Sequence, residues 1–449
     1  MSVHLDESDP YEIGNRRELF LDDLLTWKQN GIERKIHEPA AHPAEKTQPS
    51  GYYMTMLQRE GKIHCYYRAD FGNYTGSDPA YTVKPGFIGE YTAYAQSPHG
   101  IKFLYPPLFL HDCGVPNVLL CMRNGVHNFV PFYDENPECP EEERYKAIAG
   151  VSDRGGIFGF VSPDPIHFRQ LGKSPIIPAR PEWGYCMDSQ NVVFWSEAEK
   201  CYVCYFRLNA LPSGEKIRTV GRMTSKDFRN WERPEYPELN YPGENLYVSL
   251  LAPYPRAKQF YIGTPTRYFE DRGSATDIAL IFSRAGGRFI RPGNGTAWIK
   301  PGPDPDRWEN RSNYLAYNIV QTSPEEMSLY HARSGVRYSL RTDGFISLSA
   351  GAERGEWVSR VIKYDGGLLE FNVATSAGGS FQVELQDPDG KPLPGYALNE
   401  HRLFFGDRIT YVPEWKFDRE TQLKPGTLLR IRCVMKDCDL YSFCFNKNR

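Results

Sequence analysis

The sequence predicts an all-β protein, a five-bladed β-propeller followed by a C-terminal β-sandwich. Three observations predict it: a turn phrase recurring at a near-constant period, a composition rich in aromatics, Gly and Pro, and a change of rhythm near residue 350. The phrase is Ser97-Pro-His-Gly-Ile-Lys-Phe103, and it returns as Ser162-Pro-Asp-Pro-Ile-His-Phe168, Ser225-Lys-Asp-Phe-Arg-Asn-Trp231 and Ser283-Arg-Ala-Gly-Gly-Arg-Phe289. Each copy sets an aromatic six positions after a serine, across a Pro/Asp/Gly-type turn. A fifth copy, around Arg341-Thr-Asp-Gly-Phe-Ile346, lacks the closing aromatic, and successive starts lie 65, 63, 58 and 58 residues apart. Strand–turn–strand units repeated at such a period stack radially into a propeller. Aromatics at 14%, with 39 Gly and 35 Pro, suit many short strands joined by tight turns.

The elements follow in chain order. Residues 1–34 read as an N-terminal strand and arm, with Glu18-Leu-Phe-Leu21 as the strand and Asp22-Asp23 at its end. Residues 35–350 hold the five blades. The third is the clearest: Asp188–Trp195, Cys201–Arg207 and Ile217–Thr224 alternate as three antiparallel strands, and Trp231 opens the fourth. Blade one runs from Tyr52–Leu57 through Lys62–Arg68 and Glu90–Ala95; blade two uses His127–Phe132, Arg144–Ala149 and Ile157–Val161. Blade four uses Asn245–Leu251, Gln259–Gly263 and Asp277–Phe282, and blade five Asn313–Val320 and Met327–His331. From 351 to 449 the strands Leu368–Ala374, Ser380–Gln386 and Leu428–Val434 alternate cleanly between Asp387-Pro-Asp-Gly390 and Lys424-Pro-Gly426 turns, the pattern of a β-sandwich.

Charge narrows the function. With 53 basic against 56 acidic residues and no basic patch, nucleic acid is not an expected partner. No apolar run approaches the roughly 20 residues of a membrane span, so no membrane partner is expected. The first ten residues carry charges where a signal peptide needs an apolar stretch, and a cytoplasmic protein is expected. The ten cysteines lack metal-site spacing and read as buried free thiols, so no protein-built metal site is expected. The oligomeric state stays open.

In a propeller the inner strands surround a channel, and the residues that open them face one of its mouths. These are Tyr52 and Tyr53; His127 and Asn128; Asp188, Ser189 and Gln190; Glu244 and Asn245; and Asn310, Arg311 and Asn313. Carboxylates with aromatic platforms are what glycosidic-bond cleavage needs: one acid protonates the leaving oxygen, and another activates water or attacks the anomeric carbon. Asp188 and Glu244 are the candidates, with Asp22 or Asp23 as a third. Each also reads as an ordinary turn or strand-end acid. The sugar-contacting candidates are Asp22, Tyr53, Arg68, His127, Asn128, Gln190, Arg267, Arg311 and Tyr314.

This order of an N-terminal Asp, a mid-chain Asp and a later Glu on five blades resembles the propeller glycosidases of the invertase/fructanase and arabinanase/xylosidase type, glycoside hydrolase families 32 and 43. Glu18-Leu-Phe-Leu-Asp-Asp23, Asp188-Ser-Gln-Asn191 and Arg341-Thr-Asp-Gly-Phe345 are similar to phrases in uncharacterised bacterial proteins grouped with them. The resemblance implies a glycoside hydrolase acting on an oligo- or polysaccharide, with Asp23 as base or nucleophile, Asp188 orienting substrate and tuning pKa, and Glu244 as general acid. It requires no cofactor, and some relatives hold a calcium or sodium ion on the axis. The fructan-cleaving Asn-Asp-Pro-Asn-Gly, Arg-Asp-Pro and Glu-Cys motifs are absent, and the first inner strand carries no acid. Two other readings stay open. A polysaccharide lyase would draw on His127, Tyr53, Arg267 and Arg311, and a non-catalytic sugar-binding propeller would keep the aromatics without needing the acids.

Overall fold

The computed structural model describes residues 9–46, 51–70, 89–111, 115–416 and 423–447. Among them every regular element is a β-strand or a short 3-10 turn, and the protein is all-β. The charged first eight residues lie outside the described ones. The chain divides into two compact units, Pro39–Ser339 and Met1–Glu38 with Leu340–Arg449.

The unit Pro39–Ser339 is a ring of five antiparallel blades. Blade one pairs Tyr52–Arg59, Lys62–Asp70, Glu90–Ser97 and Val118–Leu120 in sequence. Blade two pairs Val130–Tyr133, Tyr145–Val151 and Gly156–Ser162, with Arg169–Gln170 and Ile177–Pro178 on its outer edge. Blade three pairs Val192–Ser196, Cys201–Leu208 and Thr219–Ser225, and single bridges from Arg222 to Glu235 and Ser225 to Trp231 mark its fourth strand. The inner strands of blades one to four contact one another in turn. Blade five meets blade four through the Tyr317 hydroxyl, which donates to the Leu251 carbonyl at 3.3 Å. It meets blade one through a parallel bridge between Thr55 and Tyr317, and the ring is complete.

Two details differ from the expected blades. Blade four is broken into two three-stranded sheets, because all three of its strands are interrupted at one level: at residues 249–250, 264–265 and 279–280. Leu250 there has φ 42°, and Pro265 has no N–H to lend to a ladder. Blade five takes its fourth strand from the opposite end of the unit. Ala40–Lys46 pairs with Val336–Arg341, so the phrase at Arg341 ends the blade's third strand with no fourth strand following it in sequence.

The recurring phrase has a structural cause. Ser97, Ser162, Ser225 and Ser283 all lie in the third strand of their blade, at or next to its end. In three of them Oγ accepts an N–H of the turn that follows: Gly100 N at 2.9 Å, Asp164 N at 3.2 Å and Phe228 N at 3.0 Å. The aromatic then reaches the preceding blade: Phe103 meets Tyr330, Phe168 meets Tyr66, and Phe289 meets Tyr205, each on a second strand. Gly100, at φ 75°, admits no side chain, since a Cβ there would sit 2.4 Å from the Tyr330 hydroxyl.

The second unit takes strands from both ends of the chain. Of the expected N-terminal strand and arm, Tyr11–Glu12, Glu18–Leu19, Thr26–Asn30 and Glu33–Ile36 pair into the sheet formed by residues 346–446. Among the described residues, hydrogen bonding joins ten strands of this unit into one sheet. The reason is two 19-residue strands, Leu368–Gln386 and Leu428–Asn446, which run together through register shifts at Asn372/Val373 and Thr375/Ser380. Alternation alone reads the first of them as two strands. The core of this unit gathers Phe20, Trp357, Phe371, Phe381 and Phe443.

Candidate functional site

At the channel mouth where the inner strands begin, four blades enter through a non-glycine residue in the left-handed region: Tyr53 (φ 49°), Asn128 (59°), Met187 (64°) and Arg311 (51°). Such conformations cost about 1–2 kcal/mol each and persist where surrounding structure holds them. Here hydrogen bonds tie one blade to the next. Asn128 donates to the Ser189 carbonyl at 2.8 Å, and Ser189 Oγ donates to the Tyr247 carbonyl at 2.8 Å. Gln190 reaches across to blade one, donating to the Met54 carbonyl (2.7 Å) and Thr55 Oγ1 (2.9 Å).

On this frame sits a chain of charges. His127 Nε2 lies 2.9 Å from Asp188 Oδ1, and its Nδ1 lies 3.5 Å from Glu90 Oε1. Arg68 places NH1 3.2 Å from His127 Nδ1 and 3.0 Å from Asn128 Oδ1. Because a guanidinium only donates, Nδ1 of the neutral imidazole is the acceptor and Nε2–H is aimed at Asp188; protonated, the ring bridges the two carboxylates. Arg207 approaches the other Asp188 oxygen at 3.6 Å, and Arg154 holds Glu90 at 2.6 Å. Tyrosines floor the mouth. The Tyr53 and Tyr247 hydroxyls are 2.6 Å apart, Tyr53 stacks on Tyr314 at 5.5 Å, and Arg68 and Arg207 lie over the Tyr53 and Tyr247 rings.

The two carboxylates differ in access. The Glu90 side chain is 2% exposed and that of Asp188 31%. Burial, the largest influence on each, pushes its pKa up, but His127 and the nearby guanidiniums outweigh it. Glu90 is held to about 2, and Asp188 below the usual carboxylate range. Asp188 is therefore an ionised, reachable carboxylate at neutral pH.

The mouth thus brings together Tyr53, Arg68, His127, Asn128, Asp188, Gln190, Arg311 and Tyr314 from the sequence-derived set. It does not bring Glu244 to Asp188: both Glu244 oxygens bond Arg291, one of them also accepts the Tyr241 N–H, and the side chain is only 9% exposed. Arg267 is held bidentately by Asp277, both bonds 2.6 Å, and donates to the Gly295 carbonyl. Asp22 and Asp23 belong to the other unit, where Asp22 caps the Leu24 N–H and Asp23, 72% exposed, pairs with Arg34 at 2.6 Å. Sequence reasoning missed Glu90, Arg207 and Tyr247. For Arg207 a signal existed: Cys65-Tyr-Tyr-Arg68 and Cys204-Tyr-Phe-Arg207 are the same phrase at the same place in two blades.

A cavity of about 230 Å³ lies at the opposite ends of the inner strands, lined by Met56, Tyr133, Trp195, Tyr254 and Tyr317. Lys258 on its wall is paired with Glu135 and Glu197. The candidate site is placed at the other mouth, because there the reachable carboxylate, imidazole and arginines converge. No cluster of three or more His, Cys, Asp or Glu among the described residues is placed to hold a metal.

No family model and no curated protein matches this sequence. The chain is structurally similar to five-bladed propeller glycoside hydrolases and phosphorylases at low identity. A β-1,2-mannobiose phosphorylase from Listeria innocua, in complex with β-1,2-mannobiose, is 10% identical with a TM-score of 0.47 over 73% of this chain and 97% of that one. A thermostable family-43 glycoside hydrolase is 13% identical, with a TM-score of 0.41 over 68% and 92%. A Bombyx mori GH32 β-fructofuranosidase is 10% identical, with a TM-score of 0.39 over 91% and 95%.

Proposed function

We propose that this protein cleaves a glycosidic bond of an oligo- or polysaccharide at the entry mouth of the propeller, by hydrolysis, with Asp188 as the reacting carboxylate. The observation that carries this reading is the placement of Asp188. It is reachable from solvent, kept ionised by His127 and Arg207, and set among arginines whose N–H groups can hold sugar hydroxyls. An ionised carboxylate acts as base or nucleophile, so Asp188 takes that role instead of the supporting one that the resemblance implies. Glu244, committed to Arg291, is not assigned to the reaction.

Elimination by a lyase is the second reading, favoured by one observation: the cluster presents a single open carboxylate among arginines and tyrosines. The products decide. Hydrolysis releases reducing ends without an ultraviolet chromophore, whereas elimination leaves an unsaturated uronate that absorbs. Asp188→Asn should abolish either reaction while the protein still binds glycan. Turnover by Asp188→Asn at the wild-type rate would remove the proposal, and glycan binding without turnover by the wild type would favour the non-catalytic reading.

A further inference from the structure

The arginines of the mouth are not all neutralised by the protein. Arg68 and Arg154 face Glu90, and Arg207 faces Asp188. Arg311 and Arg333 are exposed and have no carboxylate within ion-pair distance among the described residues. They are nonetheless held in place. Arg311 Nε donates to Asn310 Oδ1 at 2.8 Å, and Arg333 NH1 to the Asn310 carbonyl at 3.3 Å, so one residue anchors both. Arg311 sits at φ 51° with its guanidinium 5.9 Å from the centre of the Tyr247 ring, the ring that Arg207 also covers at 5.5 Å. A strained backbone that positions an unpaired cation over an aromatic platform indicates a ligand group of opposite charge.

We propose that the glycan taken at this mouth is anionic, and that Arg311 and Arg333 receive a carboxylate or sulfate ester carried by one of its sugar residues. The charge balance among the described residues supports it: of Arg68, Arg154, Arg207, Arg311 and Arg333, the first three pair with Glu90 or Asp188, and Arg311 and Arg333 with no carboxylate. A neutral sugar leaves that excess unanswered, whereas an acidic one answers it through paired N–H···O bonds. The inference rests on the glycan-cleavage reading for the site but reads out through binding.

The test is calorimetric titration of the full chain with an oligogalacturonate, its carboxyl-reduced counterpart, a sulfated galactan and its desulfated form. Wild type should prefer one acidic ligand over its neutral partner by about tenfold or more, and the preference should shrink with added salt. Arg311→Gln and Arg333→Gln should each remove most of it. Preference for the oligogalacturonate identifies a carboxylate, and preference for the galactan a sulfate. Equal binding of acidic and neutral forms, no binding of either acidic ligand, or an acidic preference that survives both substitutions would overturn the inference. Arginine-dependent acidic binding without cleavage would leave it standing while sinking the enzymatic reading.

Discussion

Asp188 and Glu244 open the inner strands of adjacent blades, and position in the repeat makes them equivalent. Their partners make them different. Asp188 meets an imidazole and one guanidinium at 3.6 Å and remains partly open, while Glu244 is closed over by Arg291, itself 7% exposed. One carboxylate is left with an accessible, ionised oxygen, and the other is part of a buried ion pair that holds its loop. The repeat thus places an acid at a mouth, but the partners that other strands bring to it decide whether that acid is available.

The largest expected effect tests the open member. Asp188→Asn keeps the shape and removes the charge, and loss of general acid–base or nucleophilic assistance should lower kcat by about 10²–10⁴ on a glycan with a poor leaving group. Steady-state kinetics on purified protein measures it. A fall below fivefold would break the comparison at its functional end.

Glu244→Gln tests the closed member and should act on stability. Removing one partner of a buried pair leaves the Arg291 guanidinium uncompensated and typically costs about 3–5 kcal/mol, read as a lower denaturation midpoint. Folded Glu244→Gln should retain turnover within a few-fold. The apolar pair Glu244→Leu with Arg291→Met should recover much of the stability, because it buries no lone charge. A hundredfold loss of kcat with an unchanged midpoint would show Glu244 to be a reacting group.

Acid should separate the carboxylates further. Glu90 is the most buried acid of the mouth, and its pKa is held to about 2 against an unperturbed 4.5. A depressed folded pKa contributes stability in full above 4.5, lost as pH falls from there toward 2. The shift corresponds to about 3 kcal/mol. Glu90→Gln should therefore be less stable than wild type at pH 7, and the gap should narrow below pH 4. Equilibrium denaturation across that range checks it, and a gap independent of pH would show the loss to come from packing.

These differences mark what could be read from the chain. The period, the serine turns and the strand-opening residues Tyr53, His127, Asn128, Asp188 and Gln190 are local patterns, and local patterns survive in sequence. Partners contributed by other strands do not. Glu90 reaches His127 from the third strand of blade one, Tyr247 reaches Tyr53 from blade four, and Arg291 reaches Glu244 over 47 residues. The closure of blade five by Ala40–Lys46 joins positions nearly 300 residues apart, which no periodicity records. The 19-residue strands of the second unit hide in the opposite way, since their bulges imitate chain turns.

The smallest expected effect applies the same lesson to the repeat itself. Ser225 and Ser283 are equivalent in sequence, yet Ser225 Oγ accepts the Phe228 N–H at 3.0 Å and donates to Asp227 Oδ1 at 3.1 Å, whereas Ser283 Oγ is buried without a protein partner. In blade four the turn is closed by its backbone instead, with Gly287 N donating to the Arg284 carbonyl at 2.8 Å. Ser225→Ala should cost about 1 kcal/mol, the net worth of a hydrogen bond plus an orphaned turn N–H. Ser283→Ala removes a hydroxyl that contributes no such bond and should change stability by less than about 0.5 kcal/mol, or raise it. Urea midpoints at constant m-value measure both. Equal losses would mean that the serine acts through its place in the repeat, and that partners matter less than the contrast between Asp188 and Glu244 requires.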